Sequence, residues 1–307
     1  MKLLVTGVAG QLGHDVVNEA VRRGMTVTGS DLAAAYAGIQ DGSAVTAAPY
    51  VSLNITDEAA VASVIGREKP DAVIHCAAWT AVDAAEDEAN QPKVKAINAD
   101  GTRSIAQACR AVGARMMYIS TDYVFDGQGT EPWAPDNTDY APLNVYGRTK
   151  LWGEQAVRET VAEHFIVRIA WVFGRNGNNF IKTMLKLAEK YDTLRVVNDQ
   201  IGTPTYTLDL ARLLVDMIVT DRYGTYHATN EGGYISWYDF ACEIFRQAGC
   251  AVQVLPVTTA EYGVSRAARP FNSRLDRRKL AENGFVPLPD WRDALMRYLK
   301  ELKGSEG

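Results

Sequence analysis

Three side chains in the first half of the chain could act together on a carbonyl group. Tyr146 and Lys150 lie four residues apart in Tyr-Gly-Arg-Thr-Lys. On a helix this spacing places the phenol and the ammonium on one face, where the positive charge favours the phenolate and lowers the tyrosine pKa from about 10. Such a tyrosine can donate a proton near neutral pH. Thr121 follows an apolar run and offers a hydroxyl that can donate to the same carbonyl oxygen.

A glycine-rich segment near the N-terminus could supply the hydride for that carbonyl. The sequence Thr6-Gly-Val-Ala-Gly-Gln-Leu-Gly13 follows an apolar strand pattern and precedes a helical pattern. Glycines let the backbone turn tightly and approach a pyrophosphate, and the unpaired N–H groups of the helix N-terminus face its negative charge. The segment therefore predicts a nicotinamide dinucleotide site that includes Gly7, Gly10, Gln11 and Leu12.

The ends of the next strands predict the rest of the cofactor site. Asp31 ends the second strand, where a carboxylate accepts hydrogen bonds from a ribose 2′-hydroxyl and repels a 2′-phosphate. No arginine or lysine follows before Arg67, which favours NADH over NADPH unless Arg22 or Arg23 lies nearby. The residues expected beside the adenine are Asn54 and Ile55, and those expected beside the ribose and nicotinamide are Ala77 and Ala78.

Apolar runs and helical patterns alternate over about the first 170 residues. The predicted strands are Leu3–Thr6, Thr26–Gly29, Tyr50–Leu53, Ala72–Cys76, Met116–Ile119 and Phe165–Ala170. The predicted helices are Gln11–Arg23, Asp57–Arg67, Asn98–Val112 and Val145–Thr160. This alternation predicts an α/β fold with a doubly wound parallel (Rossmann) sheet.

The second half is less regular and predicts a smaller C-terminal α/β lobe that binds the substrate. Its predicted helices are Phe180–Tyr191, Leu208–Thr220, Ser236–Ala248 and Trp291–Leu302. We expect a dinucleotide-binding domain over residues 1–172, taking in a helix at 207–221, and a lobe formed mainly by residues 173–307.

Composition narrows the class of partner. The net charge of −5 over 307 residues argues against nucleic-acid binding. No run approaches the ~18 apolar residues of a membrane span. The four cysteines form no Cys-x-x-Cys pair and the four histidines are scattered, so we predict no metal ligands and reduced thiols in a cytoplasmic enzyme.

The glycine motif, Thr121 and Tyr146-x-x-x-Lys150 resemble the extended short-chain dehydrogenase/reductases that act on nucleotide-sugars. Within them, further stretches resemble the dTDP-4-dehydrorhamnose reductase family. These stretches are Ala77–Asp83, Ser120–Phe125, Pro142–Gly147, Trp171–Phe173, Gly177–Phe180, Asn198–Thr205 and Arg269–Ser273. The resemblance implies hydride transfer from NADH or NADPH to the C4 ketone of dTDP-4-dehydro-β-L-rhamnose, with Tyr146 donating the proton.

The resemblance also implies a sugar site. Thr80, Val82, Asp122 and Tyr123 would line the sugar, Trp171 would form a flat wall, and Asn179, Arg269 and Asn272 would face the phosphate or nucleoside side. Simpler roles stay open for two of them. Trp171 could be a core aromatic, and Asn179 could cap the helix that begins at Phe180. The acidic residues Asp83, Glu86, Asp87 and Glu88 are interpreted as a solvated helix start.

Two departures from the family pattern and two alternatives bear on function. Trp79 stands where the family more often has Tyr or His, and Asn54 stands where Asp is usual. A nucleotide-sugar epimerase or dehydratase with bound NAD is disfavoured because Tyr123, not a carboxylate, follows Asp122. A non-catalytic protein like the methionine adenosyltransferase regulatory subunit is disfavoured because Thr121, Tyr146 and Lys150 are all present. Monomer and homodimer both stay open, and Mg²⁺ is implied by the resemblance alone.

Overall fold

The computed structural model describes residues 1–263 and 265–304. The strands are β1 (Lys2–Thr6), β2 (Thr26–Asp31), β3 (Tyr50–Ser52), β4 (Ala72–His75), β5 (Arg115–Thr121), β6 (His164–Ile169), β7 (Val172–Phe173), β8 (Thr193–Val197), β9 (Ile201–Gly202), β10 (Thr205–Tyr206), β11 (Gly224–His227), β12 (Asn230–Glu231), β13 (Ile235–Ser236), β14 (Gln253–Val257) and β15 (Leu288–Asp290).

The α-helices are α1 (Gln11–Arg22), α2 (Ala44–Ala47), α3 (Glu58–Glu68), α4 (Val82–Ala85), α5 (Gln91–Lys95), α6 (Thr102–Val112), α7 (Val145–Thr160), α8 (Phe180–Ala188), α9 (Thr207–Ile218), α10 (Trp237–Ala248), α11 (Thr259–Tyr262), α12 (Arg278–Glu282) and α13 (Trp291–Gly304). A π-helical turn, Ala96–Gly101, leads directly into α6. None of the helices within the described residues is long and apolar enough to cross a membrane.

Seven strands form one sheet in the order β11-β6-β5-β4-β1-β2-β3. Every neighbouring pair in this sheet is parallel. The chain reverses its direction of winding between β1 and β4, and ligands of doubly wound sheets bind at the carboxyl edge beside such a reversal. The predicted doubly wound parallel sheet is confirmed.

Alternating side chains of each strand enter two separate cores, because successive residues of a strand point to opposite faces. In β1, Leu3 and Val5 are buried with α1 and α9 on one face. Leu4 is buried with α3 and α6 on the other. Both faces of the sheet are therefore buried under helices, which explains why the strand sequences are apolar throughout.

Two elements of this layer differ from the prediction. The seventh strand, Gly224–His227, was not predicted, and it pairs with β6. The helix predicted from Asn98 begins only at Thr102, because Asn98 lies inside the π-helical turn, where Asn98 and Gly101 are buried. The adjacent α9 packs its apolar side into the same core as α1.

The C-terminal lobe has a core of its own, built from α8, α10 and α13. Phe173, Phe240, Trp291 and Tyr298 are fully buried there and contact one another through their rings. The lobe carries two-stranded sheets such as β8 with β14. The four helices predicted for the second half of the chain are present, with ends that match or shift by up to three residues.

Candidate active site

A cleft of about 980 Å³ lies between the carboxyl edge of the sheet and the C-terminal lobe. Its lining contains all the residues predicted for catalysis and for the cofactor, and the predicted sugar-side residues except Asn179 and Asn272. Sequence reasoning missed other lining residues, among them Ser30, Cys76, Ser120, Gly177, Asn178 and Trp237. Ser30, Cys76 and Ser120 lie at strand ends beside predicted residues, so the strand ends could have indicated them, whereas Trp237 starts a helix of the second lobe and had no such signal.

The glycine-rich loop is shaped for close approach of a phosphate-bearing ligand. Gly7 has φ +73, and a Cβ there would lie 2.6 Å from the backbone nitrogen of Ala77. A Cβ on Gly13 would lie 2.3 Å from the Gly7 carbonyl oxygen. Gly10 precedes α1 without any side-chain cap, so the first N–H groups of the helix face the cleft uncapped. These features fit a dinucleotide pyrophosphate.

Asp31 lies beside this loop at the mouth of the cleft. Its carboxylate accepts hydrogen bonds from the backbone N–H groups of Ala9, at 2.9 Å, and Leu32, at 2.7 Å. Arg22 and Arg23 point elsewhere, since both bind Glu19 on their own helix. Among the described lining residues the cationic side chains are Lys150 and Arg269.

The helix α7 positions the predicted proton donor through its first turn. Asn144 caps the helix by accepting a hydrogen bond from Gly147 N at 2.8 Å, and Glu86 accepts one from Val145 N at 2.7 Å. A Cβ on Gly147 would lie 2.3 Å from the Tyr123 carbonyl oxygen. Only glycine lets the helix pack this closely, and Tyr146 thereby meets the Tyr123 ring edge-on at 5.5 Å.

The expected lowering of the Tyr146 pKa is wrong for this structure. Burial raises the pKa of the phenol, and the hydrogen bond with Thr121 does not offset it. Lys150 turns instead towards the end of β5, where its Nζ donates to the Ile119 carbonyl oxygen at 2.6 Å and lies 4.1 Å from the centre of the Tyr118 ring. Burial also lowers the pKa of Lys150, to about 7, so its charge is weakly held.

Thr121 and Asp122 form a buried pair at the end of β5. The Thr121 hydroxyl donates to Asp122 Oδ1 at 3.0 Å, and it accepts from Tyr123 N at 3.2 Å. Asp122 Oδ2 is buried without a partner among the described residues. Burial raises the pKa of Asp122 to about 6, so this carboxyl can lie in the cleft as a neutral acid or an anion.

Asn98, which sequence reasoning did not assign to the site, links the segment after β4 to α7 just behind residues that line the cleft. Its side-chain oxygen accepts from Trp79 N at 2.8 Å, and its side-chain nitrogen donates to Thr149 Oγ1 at 3.2 Å. The π-helical turn around it directs this side chain inwards, and such turns are frequent at functional sites. The sequence predicted a regular helix from Asn98 and gave no sign of the π-helical turn.

Trp171 forms a strained aromatic wall of the cleft. Its backbone has φ +51, uncommon for a residue with a side chain. The ring stacks on Trp237 at 3.7 Å, and a Cβ on Gly202 would lie 2.9 Å from it. The alternative of a purely structural core aromatic is therefore disfavoured, because Trp171 is half-buried and lines the cleft.

The structure places two of the predicted sugar-side residues outside the cleft lining and gives two of the acidic residues additional contacts. Asn179 lies outside the cleft lining and caps α8 through Lys182 N. Asn272 is buried outside it and donates to the carbonyl oxygens of Gln128 and Glu131. Asp83 lies in the first turn of α4 and stays partly exposed, as the helix-start interpretation predicts, but it also binds Arg269 at 2.7 Å, and Glu86 holds the start of α7. The partners of Asn272, Asp83 and Glu86 are distant in sequence, whereas Asn179 caps its own helix, the simpler role that the sequence left open for it.

No group of three or more His, Cys, Asp or Glu side chains in residues 1–263 and 265–304 is arranged to bind a metal ion. His75 is buried between Thr6 and Thr102, with ring nitrogens 2.7 and 3.2 Å from their hydroxyl oxygens. Burial lowers the pKa of His75 to about 3, so this neutral ring has a structural role.

Comparison with known proteins agrees with this geometry. The profile of the family described as RmlD substrate binding domain matches residues 1–303. A dTDP-4-dehydrorhamnose reductase of Streptomyces griseus is 41% identical, over 99% of this chain and 95% of its own length. A crystal structure of a dTDP-4-dehydrorhamnose reductase from Clostridium acetobutylicum superposes with TM-score 0.88 at 40% identity, covering 99% of this chain and 100% of its own.

A second solved structure carries a cofactor. The dTDP-4-dehydrorhamnose reductase of Bacillus anthracis, in complex with NADP, is 39% identical with TM-score 0.86 and covers 98% of this chain and 99% of its own. The resemblance inferred from Thr121, Tyr146 and Lys150 is thus supported over the full length. The chain belongs to the RmlD substrate binding domain family, the family of the dTDP-4-dehydrorhamnose reductases.

Proposed function

We propose that this protein reduces the C4 ketone of dTDP-4-dehydro-β-L-rhamnose to dTDP-L-rhamnose with a reduced nicotinamide cofactor. One observation carries the proposal. Tyr146, Lys150 and Thr121 line the same cleft as the uncapped N-terminus of α1. A proton donor and a dinucleotide cradle therefore share one cleft, and a relative named for this reaction matches 99% of the chain.

Each side chain has a definite task in this proposal. The cofactor supplies a hydride when bound. Tyr146 donates a proton to the C4 oxygen as the hydride arrives, and its raised pKa keeps the phenol protonated beforehand. Thr121, hydrogen-bonded to Tyr146 and Asp122, orients the phenol. Lys150 holds the ribose of the cofactor and supplies a charge that assists proton transfer.

The test is consumption of reduced cofactor at 340 nm with enzymatically prepared dTDP-4-dehydrorhamnose. We expect Tyr146→Phe to lower kcat by about 10²–10⁴-fold, the usual contribution of a positioned general acid. Tyr191→Phe removes the same hydroxyl from an exposed tyrosine and is the matched control. Near-normal turnover by Tyr146→Phe would exclude it as the proton donor.

The same preparation distinguishes the alternatives. Bound NAD at one equivalent, without turnover of added cofactor, would favour an epimerase or dehydratase. Cofactor binding without any conversion of the ketone would favour a non-catalytic role. Asp122 disfavours the dehydratase because Thr121 and Tyr123, not a second carboxylate, flank it.

We propose NADH as the preferred cofactor. The Asp31 carboxylate lies beside the glycine loop, and among the described residues of the cleft lining no arginine or lysine neighbours it in the sequence or pairs with it. The Bacillus anthracis relative was solved in complex with NADP, so the cofactor preference of this protein requires a direct test. Asp31→Ala should improve kcat/KM for NADPH relative to NADH. An unchanged ratio would remove Asp31 from the ribose site.

On the sugar side we propose that Thr80, Val82, Asp122, Tyr123, Trp171 and Arg269 contact the nucleotide-sugar, since all of them line the cleft. The division into a 1–172 domain with helix 207–221 and a 173–307 lobe is part of the same proposal. A cytoplasmic location, a monomer or homodimer and any Mg²⁺ requirement stay predictions. Light scattering with and without EDTA tests the last two.

A further inference from the structure

The carboxylate of Asp83 gathers an unusual number of hydrogen-bond donors from one distant segment. Its Oδ1 accepts from Ser265 Oγ at 3.2 Å and from the backbone nitrogens of Arg266 and Ala267, both at 3.1 Å. Arg269 binds it in a fork, with Nη1 at 3.0 Å from Oδ1 and Nη2 at 2.7 Å from Oδ2. One carboxylate therefore fixes the course of residues 265–269.

The segment 265–269 is also attached to the helix that carries the proposed proton donor. Asn144 donates from its side-chain nitrogen to the Ala268 carbonyl oxygen at 2.8 Å, while its oxygen caps α7. On the far side of Arg269, a Cβ on Gly127 would lie 2.4 Å from Pro270. Both ends of the segment are thus held against the first domain, and Arg269 lies in the lining of the cleft.

The donors of Arg269 are divided between Asp83 and the cleft. A guanidinium has five N–H groups, and Asp83 takes one from each terminal nitrogen. A further Nη1 contact is made with Ser265 Oγ. Tyr123, which also lines the cleft, is a further hydrogen-bonding neighbour of the guanidinium. A ligand in the cleft would therefore share the Nε–H and the second Nη2–H with the Tyr123 hydroxyl. The side chains of the pair are 27% (Arg269) and 46% (Asp83) exposed, so screening by solvent makes the pair a weak contributor to stability.

An ion pair with little effect on stability can still orient a side chain for binding. An arginine that is held in place before the ligand arrives loses less rotamer freedom on binding. The planar fork also fits phosphate oxygens better than a lysine does. We propose that Asp83 is a positioning residue that presents Arg269 to the diphosphate of the nucleotide-sugar. This inference rests on the proposed function for its ligand.

The experiment measures binding of dTDP by calorimetry, because dTDP carries the diphosphate without the ketone. We expect Asp83→Asn and Asp83→Ala each to raise the Kd of dTDP about tenfold or more, through the loss of charge-assisted hydrogen bonds and of preorganisation. In the reductase assay, KM for the sugar nucleotide should rise similarly with kcat within about twofold. The Kd of the reduced cofactor, measured by fluorescence, should not change.

The matched control is Glu88→Gln, which removes one negative charge from an exposed position of the same acidic run. It should leave the Kd of dTDP unchanged. The double variant Asp83→Ala with Arg269→Lys should bind dTDP no more weakly than Arg269→Lys alone, because the two residues act as one unit.

Several outcomes would overturn the proposal. Normal dTDP binding by both Asp83 variants would do so, as would equal losses of cofactor and dTDP affinity, which indicate a general structural role. Failure of the unaltered protein to bind dTDP would also overturn the proposal, because the ligand assigned to Arg269 would then be wrong. If the unaltered protein binds dTDP and the Asp83 effects hold, but no ketone is reduced, the proposed function fails while the positioning role stands.

Discussion

The ion pair between Glu154 and Arg168 lies directly behind the proposed catalytic lysine and should control both stability and the placement of α7. Both side chains are fully buried. Arg168 donates to Glu154 from Nε and Nη2, each at 2.8 Å, and Arg158 donates to the same carboxylate at 2.7 Å. Glu154 is one turn along α7 from Lys150, so the pair fixes the helix against β6.

The size of the effect of Glu154→Gln follows from the pKa of this carboxyl. Burial raises the pKa, but the charge and hydrogen bonds of Arg168 outweigh burial and hold it at about 2, against an ordinary 4.5. That difference corresponds to about 3 kcal/mol of folding free energy. Breaking a buried pair costs about 3–5 kcal/mol, and the lower figure fits because Arg168 also donates to Tyr140 and Pro135.

The assay is thermal unfolding followed by circular dichroism. Unfolding entropy of about 2.1 cal/mol/K per residue, over 307 residues, gives about 0.6 kcal/mol/K. Glu154→Gln should therefore lower Tm by about 5 °C. Glu159→Gln on the same helix is the control, since its pair with Arg103 is 3.6 Å long and exposed. It should change the free energy of unfolding by less than about 1 kcal/mol.

The pH dependence of the stability difference tests this explanation. A carboxyl whose folded pKa is depressed stabilises the fold above its unfolded pKa, and the contribution is lost as pH falls from 4.5 through about 2. The difference in stability between the unaltered protein and Glu154→Gln should therefore shrink over that window. A difference that stays constant from pH 7 to pH 3, or a Tm within 1 °C of the unaltered protein, would refute this reasoning.

Three further outcomes are expected. Gly147→Ala would place a Cβ 2.3 Å from the Tyr123 carbonyl oxygen and move α7, so kcat should fall at least about tenfold, and the cofactor Kd, from fluorescence titration, should rise because Lys150 lies on the same helix. Asn176→Ala loses hydrogen bonds to Ala9 O, at 2.8 Å, and from Ile39 N, at 3.3 Å, so the same titration should show about fivefold weaker cofactor binding. Because burial lowers the pKa of Lys150 to about 7, the lysine loses its charge as pH rises through 7, and kcat/KM should decline above that pH, whereas a flat profile to pH 9 would contradict it.

The sheet and the cofactor side of the cleft were largely predictable because their signals are local. Six strands and the helix Val145–Thr160 were predicted from apolar runs and helical periodicity, and residues at the strand ends, such as Asp31 and Thr121, necessarily meet at one edge of a parallel sheet. The strand Gly224–His227 escaped because it has four residues, begins with glycine and ends with histidine. Only pairing with β6 makes it a strand.

The sugar side was less predictable because its contacts join residues far apart in sequence. The family resemblance suggested Asn272 for the ligand, yet its amide donates to the carbonyl oxygens of Gln128 and Glu131, 144 and 141 residues away. The capping role of Asn179, by contrast, is local and was among the roles left open from the sequence. The expected effect of Lys150 on the tyrosine failed for a related reason. Helical spacing gives the common face, but it does not show that Lys150 turns to the Ile119 carbonyl oxygen.

The acidic run shows how one short helix can serve two parts of the site. Asp83 and Glu86 are three residues apart, the spacing of neighbours on one helical face. Asp83 holds the segment with Arg269, and Glu86 holds the N-terminus of α7 through Val145 N. The proton donor Tyr146 and the proposed phosphate-binding residue Arg269 are therefore both held by side chains of one short segment, α4 and the residue that follows it. Changing the spacing of the two carboxylates should misplace both together, whereas replacing either one should affect only its own side.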